Sequence, residues 1–232
     1  MSVAADRARS AAHGVAALEP RVGRVDLAPP GGVKRAFDAT LASLGLALSA
    51  PAWLAVALAI WIDDGRPIFY AQERVGYRGR VFRVWKFRSM IANAERGVGA
   101  LQARQGDPRI TTVGRWLRAT ALDELPQLWN IARGDRSFVG PRALRPGEIE
   151  VGGDGRHELL EDVPGFETRC SVRPGLTGVA QIYAARDLAR RQKFRYDRVY
   201  ITRQSFGLDL RLIAQSFWIT FRGAWDSQGR NR

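Results

Sequence analysis

The sequence has one cysteine, Cys170, and two histidines, His13 and His157. A disulfide within the chain is therefore excluded, and so is a zinc site built from cysteine and histidine. The histidines lie in Gly-rich and polar stretches far from other candidate groups, which argues against a histidine-dependent triad. Cys170 reads as a small, inert residue, the usual state of a free cysteine. Neither a Walker GxxxxGK[S/T] pattern nor GxGxxG occurs, so neither familiar nucleotide-binding fold is supported. Acidic residues are also short: 36 Lys+Arg face 23 Asp+Glu, a formal charge of +13. The excess sits almost entirely on arginine and calls for an anionic partner, whether nucleic acid, an anionic membrane or phosphorylated substrates. Chemistry in this chain must rest on carboxylates and arginines, with a metal ion where one is needed.

What is present is a long apolar run. The chain of 232 residues suits one domain plus a membrane element. Residues 1–32 are Ala-rich, dotted with arginine and closed by Pro29-Pro30-Gly31-Gly32. They read as a disordered tail and linker rather than a signal peptide. Phe37 to Ile62 then holds 26 residues with one charge, Asp38. As a helix it reaches about 39 Å, enough to span a bilayer core of roughly 30 Å. Two features favour a bent, re-entrant helix over a straight span. Pro51, near the middle, removes a backbone donor and crowds the Ala47 carbonyl, while Ser49 beside it can satisfy a freed backbone group. Both flanks are basic, Lys34 and Arg35 before and Arg66, Arg74, Arg78 and Arg80 after, which the positive-inside rule keeps on the cytoplasmic side.

The remainder reads as α+β and mainly helical. Residues 67–90 predict a strand, a glycine turn and a second strand over Val81–Phe87. Residues 91–105 predict a helix. Thr111-Thr112 starts another that runs to Ala121. A further helix is expected over 123–133, with Pro126 in its first turn and Gly134 ending it. Residues 137–181 are loop-rich. Amphipathic, Arg-rich helix returns over Leu188–Phe221 with a break near Gly207. The implied organisation is a tail (1–32), a re-entrant helix (33–64), a cytoplasmic catalytic domain (65–222) and a C-terminal tail (223–232).

Asp123-Glu124 is the first candidate for chemistry. A carboxylate at a helix start stays ionised, can attack phosphorus, and stands where backbone donors suit an incoming phosphate. Ordinary helix capping by Asp and Glu explains the same two letters. Arg115 and Arg118 precede the pair, Lys86 and Arg88 end the second strand, Arg142 and Arg145 follow Gly140-Pro141, and Arg173 precedes Pro174-Gly175. Arginines in Gly/Pro loops suit a diphosphate clamp, since guanidinium binds phosphate oxygens in pairs. A solvated basic face toward acidic lipid is the plainer alternative for any one of them.

The order KRAFD (34–38), an apolar run with a Ser/Pro break, RPIFYAQERVG (66–76), WKFRSM (85–90), DPRIT–VGRWLR (107–118), LDELPQLWN (122–130), GDRSFVGPR (134–142), RPGLTG (173–178) and YDRVYI–LDL (196–210) resembles the bacterial sugar transferase family, over about residues 33–215. These are monotopic polyprenyl-phosphate phosphoglycosyl transferases. The resemblance implies transfer of a sugar-1-phosphate from a UDP-sugar to undecaprenyl phosphate, with release of UMP, through a phospho-sugar held covalently on an aspartate. By motif position that aspartate is Asp123, with Glu124, and Asp123 itself, holding Mg²⁺. Arg118 and Arg142 are implied phosphate contacts, with Lys86, Arg88 and Arg173 as weaker transfers. It further implies a re-entrant first helix broken at Ser49 and Pro51, interfacial amphipathic helices, and an active site facing the cytoplasm from the bacterial inner membrane, with no nucleic-acid partner.

The sequence departs from that pattern in places. Ala50 separates Ser49 from Pro51, and Ala143 stands where a second proline usually follows Arg142. The extra N-terminal spans of larger members are lacking, so the short form is expected. Two rivals come from other classes: a non-catalytic anchored basic module, and a glycosyltransferase of the Leloir type that releases UDP. The sugar, the polymer and whether Trp-rich surfaces make a homodimer are not legible in these motifs.

Overall fold

The computed structural model describes residues 31–94, 106–151, 157–185 and 188–221. Apart from Gly31 and Gly32, the expected tails lie outside them, and so does the helix expected over 91–105 beyond residue 94. Residues 92–94 form a turn, closed by the Ala94 amide on the Ile91 carbonyl at 3.2 Å. The fold is mixed α and β and mainly helical, as the periodicities predict.

The apolar run forms one helix, α1 (Gly32–Asp64), with Pro51 inside it. It is long and apolar enough to cross a membrane by length and composition. Ser49 reaches toward the Leu46 carbonyl at 3.4 Å and accepts from the Trp53 indole at 3.1 Å. The serine thus ties together the two sides of the proline, although it does not bond the Ala47 carbonyl that proline crowds. Much of the helix is bare: Leu44, Leu48, Leu54, Leu58, Trp61 and Ile62 are exposed.

Both ends of α1 are fastened to the globular body. At its start, Arg35 donates to the Ile131 and Ala132 carbonyls at 2.6 and 2.5 Å, and Lys34 pairs with Asp209 at 2.6 Å. Those carbonyls end α3 (Gln127–Arg133), where a cation satisfies free acceptors and favours the helix dipole. Buried Asp38 accepts from the Phe138 amide at 3.3 Å. At its close, Asp63 accepts from the Val113 amide at 2.8 Å in the first turn of α2 (Thr112–Ala119), whose N-cap is Thr111. The guanidinium of Arg88 gathers the carbonyls of Asp64, Gly65 and Arg66 and pairs with the Asp64 carboxylate at 3.1 Å.

A hairpin follows α1: β1 (Phe69–Val75) pairs antiparallel with β2 (Val81–Phe87), with Tyr70 opposite Lys86. This sheet has two strands, so the outer edge of β2 needs partners. Asn130, fully buried in α3, supplies them: its Oδ1 accepts from the Trp85 amide at 3.1 Å and its Nδ2 donates to the Arg83 carbonyl at 2.7 Å. One side-chain amide therefore stands in for a third strand and fixes β2, and Lys86 with it, against α3. Phe87 packs with Val56, Ile60 and Leu117 in a small core beneath the hairpin.

The stretch expected to be loop-rich holds short elements that periodicity cannot reveal, since three-residue strands carry no repeat. They are β3 (Ser137–Val139), β4 (Ile149–Val151), β5 (His157–Leu159), α4 (Phe166–Cys170), β6 (Gly175–Thr177) and α5 (Val179–Tyr183). β3 and β6 pair in parallel because glycines let their backbones cross: a Cβ on Gly175 would lie 2.0 Å from the Gly140 nitrogen. The terminal helices are α6 (Arg190–Arg203) and α7 (Phe206–Phe221), broken at Gln204-Ser205, just ahead of the expected Gly207. Tyr200 joins them to the rest of the main core, with its hydroxyl 2.9 Å from Asp209 and 3.1 Å from the Val139 carbonyl.

Replacing Asn130 with alanine leaves a part-buried strand amide and carbonyl without their partner, at a cost of about 1 kcal/mol or more. The Asn130→Ala protein is expected to show a clearly lowered midpoint of thermal unfolding, and Asn130→Asp, which turns a buried carboxylate toward the Arg83 carbonyl and the Asp135 carboxylate, one at least as low.

Candidate active site

Asp123 and Glu124 do not sit in the first turn of an α-helix, as the spacing predicts. They lie on a separate 3₁₀ turn, Leu122–Glu124, and α3 begins only at Gln127. Two features cause the offset. Ala121 adopts a left-handed conformation (φ 57°) and breaks the chain direction after α2. Pro126 then serves as the N-cap of α3. A non-glycine residue in that region stores of order 1 kcal/mol of strain, a pattern that concentrates at functional sites. The turn buries Asp123, while the Glu124 side chain stays 35% exposed.

Lys86 reaches from β2 to both carboxylates, with its ammonium 2.5 Å from Glu124 and 3.8 Å from Asp123. Its closeness separates the two acids. Burial pushes Asp123 up to about 6, and Glu124 adds to the rise, while Lys86 and Arg118 oppose it. Burial also works against charge on Glu124, but the charge and hydrogen bond of Lys86, joined by Arg142 and Arg136, outweigh it and hold Glu124 down to about 2. At neutral pH both are ionised. Asp123 is the more basic and hence the better nucleophile.

The expected residues divide into two groups. Lys86, Arg118 and Arg142 come to the carboxylate turn: Lys86 by contact, Arg118 from the last turn of α2 and Arg142 from the loop after β3, both within reach of its charge. Arg88 and Arg173 are placed elsewhere. Arg88 holds the foot of α1, as described, and is buried. Arg173 donates to the Gly134 carbonyl at 2.9 Å and lies over the Tyr77 ring. Ser49 and Pro51 remain in the exposed middle of α1.

Sequence reasoning missed two supports. Arg136, within GDRSFVGPR, is buried, donates to the Gly175 carbonyl and keeps its Nε without a partner. Burial holds it down to about 10, and the Glu124 charge counters that. Arg169 pairs with buried Asp197 at 2.7 Å and donates to the Arg142 carbonyl at 2.7 Å. The aspartate of YDRVYI therefore props the loop that carries Arg142. Arg136 and Asp197 lie in quoted motifs and Arg169 in none, and only the fold assigns the partners.

Two carboxylates suit Mg²⁺, which takes few protein ligands and completes its shell with water and substrate phosphates. Among the described residues no group of three or more His, Cys, Asp and Glu gathers as a fuller metal cage. A buried, raised carboxylate set among cations is an arrangement suited to chemistry on a phosphate ester.

Comparison with known proteins narrows that class. The family description for bacterial sugar transferases matches residues 31–223, and the chain belongs to that family. It is 42% identical over 187 residues to an undecaprenyl-phosphate glucose phosphotransferase of Komagataeibacter xylinus, covering 78% of this chain and 34% of the relative. It is 39% identical to a UDP-glucose:undecaprenyl-phosphate glucose-1-phosphate transferase of Escherichia coli K12, covering 82% and 40%. An exopolysaccharide production protein ExoY of Sinorhizobium fredii is 36% identical, covering 80% of this chain and 84% of the relative. The chain thus spans between a third and half of the length of several relatives and most of the length of others.

In metal-free protein the carboxylate pair should titrate in two separated steps, the upper at about 6. Lys86→Met should raise both, as followed by carboxyl carbon NMR. Because Asp123 is raised, its stabilising effect on the fold is present below its ordinary 3.8 and lost as pH rises through about 6. Its competence as a nucleophile runs the opposite way, fading as pH falls below that value.

Proposed function

We propose that this protein transfers a sugar-1-phosphate from a UDP-sugar to undecaprenyl phosphate, as the first membrane step in assembling a polysaccharide. The observation that carries this reading is the buried, raised Asp123 beside an ammonium and arginines, in a chain whose relatives bear such names. An Asp123 oxygen attacks the phosphorus that bears the sugar. A phosphorus–oxygen bond forms to the carboxylate while the bond to the bridging oxygen breaks, and UMP leaves with the electron pair. An oxygen of the lipid phosphate then attacks the same phosphorus. The aspartyl bond breaks, the carboxylate is restored, and the lipid diphospho-sugar departs.

Lys86 and Arg118 neutralise charge on the transferred phosphate, and Arg142 neutralises charge on its neighbour. Glu124, ionised and next to the nucleophile, would hold Mg²⁺ together with Asp123. When bound, the ion supplies further neutralisation of the diphosphate charge. Splitting the transfer in two lets the water-soluble donor leave before the lipid enters.

The same reading makes α1 a re-entrant element of the bacterial inner membrane, with the catalytic body on the cytoplasmic side. The fastening of both helix ends to one body supports it: Lys34, Arg35 and Asp38 at one end, Asp63 and Asp64 at the other. A straight span would carry one set away from the body. The exposed Leu210, Phe217, Trp218 and Phe221 of α7 support contact of that helix with the interface.

Incubation with a panel of UDP-sugars, undecaprenyl phosphate and Mg²⁺ should release UMP from at least one donor. Asp123→Asn should lower the rate by several orders of magnitude. UDP in place of UMP would identify a Leloir transferase, and an active Asp123→Asn protein would rule out this nucleophile. Cysteines placed at Val33 and Ile62 in a Cys170→Ser background should both react with an impermeant thiol reagent in inverted vesicles and neither in spheroplasts. Labelling from opposite faces would mean a straight span.

A further inference from the structure

The segment RPIFYAQERVG (66–76) supplies no group to the site described above, yet its strand borders that site. β1 and β2 pair with Tyr70 opposite Lys86, Gln72 opposite Val84 and Arg74 opposite Phe82. Residues that face each other across an antiparallel pair project from the same side of the sheet, with side-chain carbons about 5 Å apart. Lys86 meets Glu124 at 2.5 Å and Asp123 at 3.8 Å. The side that bears Tyr70 and Gln72 is therefore the side turned to the carboxylates.

These β1 side chains are joined in a row. Arg74 donates to the Gln72 Oε1 and, through Nη1, to the Ala143 carbonyl at 3.2 Å. The Gln72 Nε2 donates to the Tyr70 hydroxyl at 3.1 Å. The row starts at the loop that carries Arg142 and ends beside Lys86. Arg74 is fully engaged in holding it. Gln72 is not: its Nε2 keeps a second proton and its Oε1 a second lone pair. Tyr70 is 39% exposed, although its strand partner reaches a buried acid. A fixed aromatic ring beside a half-used amide suits a sugar. The C–H face of a pyranose is weakly positive and meets the negative face of a ring, while a hydroxyl both gives and accepts a hydrogen bond. A prenyl chain would leave that amide unsatisfied.

We propose that the Tyr70 ring and the Gln72 amide form the subsite for the transferred sugar, the ring against its C–H face and the amide on a hydroxyl. This inference rests on the proposed function, which places a sugar on the phosphorus that Asp123 attacks. That sugar is bonded to the reacting phosphate, so it occupies the space next to Lys86, whereas the uridine lies beyond a second phosphate. Lys86 takes the phosphate, and its neighbours on the same face of the hairpin take what the phosphate carries. Tyr70 and Gln72 are thereby the residues that choose among sugars.

The test is calorimetric binding to the full chain in nanodiscs, in Asp123→Asn protein so that donor is not consumed. The probes are the UDP-sugar that releases UMP in the panel above, and UMP itself. Tyr70→Leu and Gln72→Ala should each weaken the UDP-sugar by about threefold to tenfold and leave UMP, which lacks the transferred sugar, unchanged. Tyr70→Phe, which keeps the ring, should stay close to its parent. With Asp123 restored, Gln72→Ala should also narrow the ratio of kcat/KM between the preferred donor and the next in the panel. Equal loss of UDP-sugar and UMP would overturn the inference, since the row would then serve the nucleotide or the fold. Unchanged binding of both would overturn it as well. So would a raised KM for polyprenyl phosphate with donor binding intact, which would give the ring to the lipid. Each of these results leaves the proposed function standing. An unmutated chain that releases UMP from no donor would overturn the proposed function itself.

Discussion

One ammonium between two unequal carboxylates is the interaction on which the rest of this structure turns. Lys86 lies close enough to Glu124 to keep it ionised, and near enough to Asp123 to restrain, without cancelling, the rise that burial imposes. If Lys86 moved away, two like charges would face each other in a sheltered turn, and one would take a proton. The turn therefore holds an acid pair kept ionised by a strand residue that arrives from elsewhere in the chain, as the proposed attack on phosphorus needs.

Much of the fold can be understood as holding that strand in register with that turn. Asn130 fixes the free edge of β2 from α3, and α3 follows the carboxylate turn directly. Arg35 caps the far end of the same helix, so the long apolar helix and the carboxylate turn share one short helix as their common part. Arg88 and Asp63 tie the other end of α1 to the hairpin and to α2, which carries Arg118. Seating of the apolar helix and placement of the reactive groups are thus mechanically linked. The Arg169–Asp197 pair performs the equivalent task for the Arg142 loop.

Long elements were legible in the sequence and short ones were not. The apolar run, the hairpin around Gly76 and Gly79, the helix opening at Thr111 and the terminal helices all carry a period or a cap that local chemistry explains. β3 and β6 carry neither, and their pairing depends on glycines 35 residues apart, Gly140 and Gly175. Asp123 and Glu124 were legible as a pair, but their 3₁₀ turn was not, because an alanine in left-handed conformation leaves no mark in the letters. Lys86 and Arg142 stood out through their motifs. Arg136 lay in a quoted motif too, but nothing in a loop announces which distant charges it will face. Arg88 had the right type and position for a phosphate contact, yet three backbone carbonyls at the end of α1 claim it.

The central claim is that Asp123 carries the phospho-sugar between two half-reactions. The most direct test is exchange of labelled UMP into the UDP-sugar with no polyprenyl phosphate present. The account predicts that label enters the donor in the unmutated protein and fails to enter in Asp123→Asn. Full turnover with lipid, but no exchange without it, would mean that donor and acceptor react in a single complex and that no aspartyl intermediate forms.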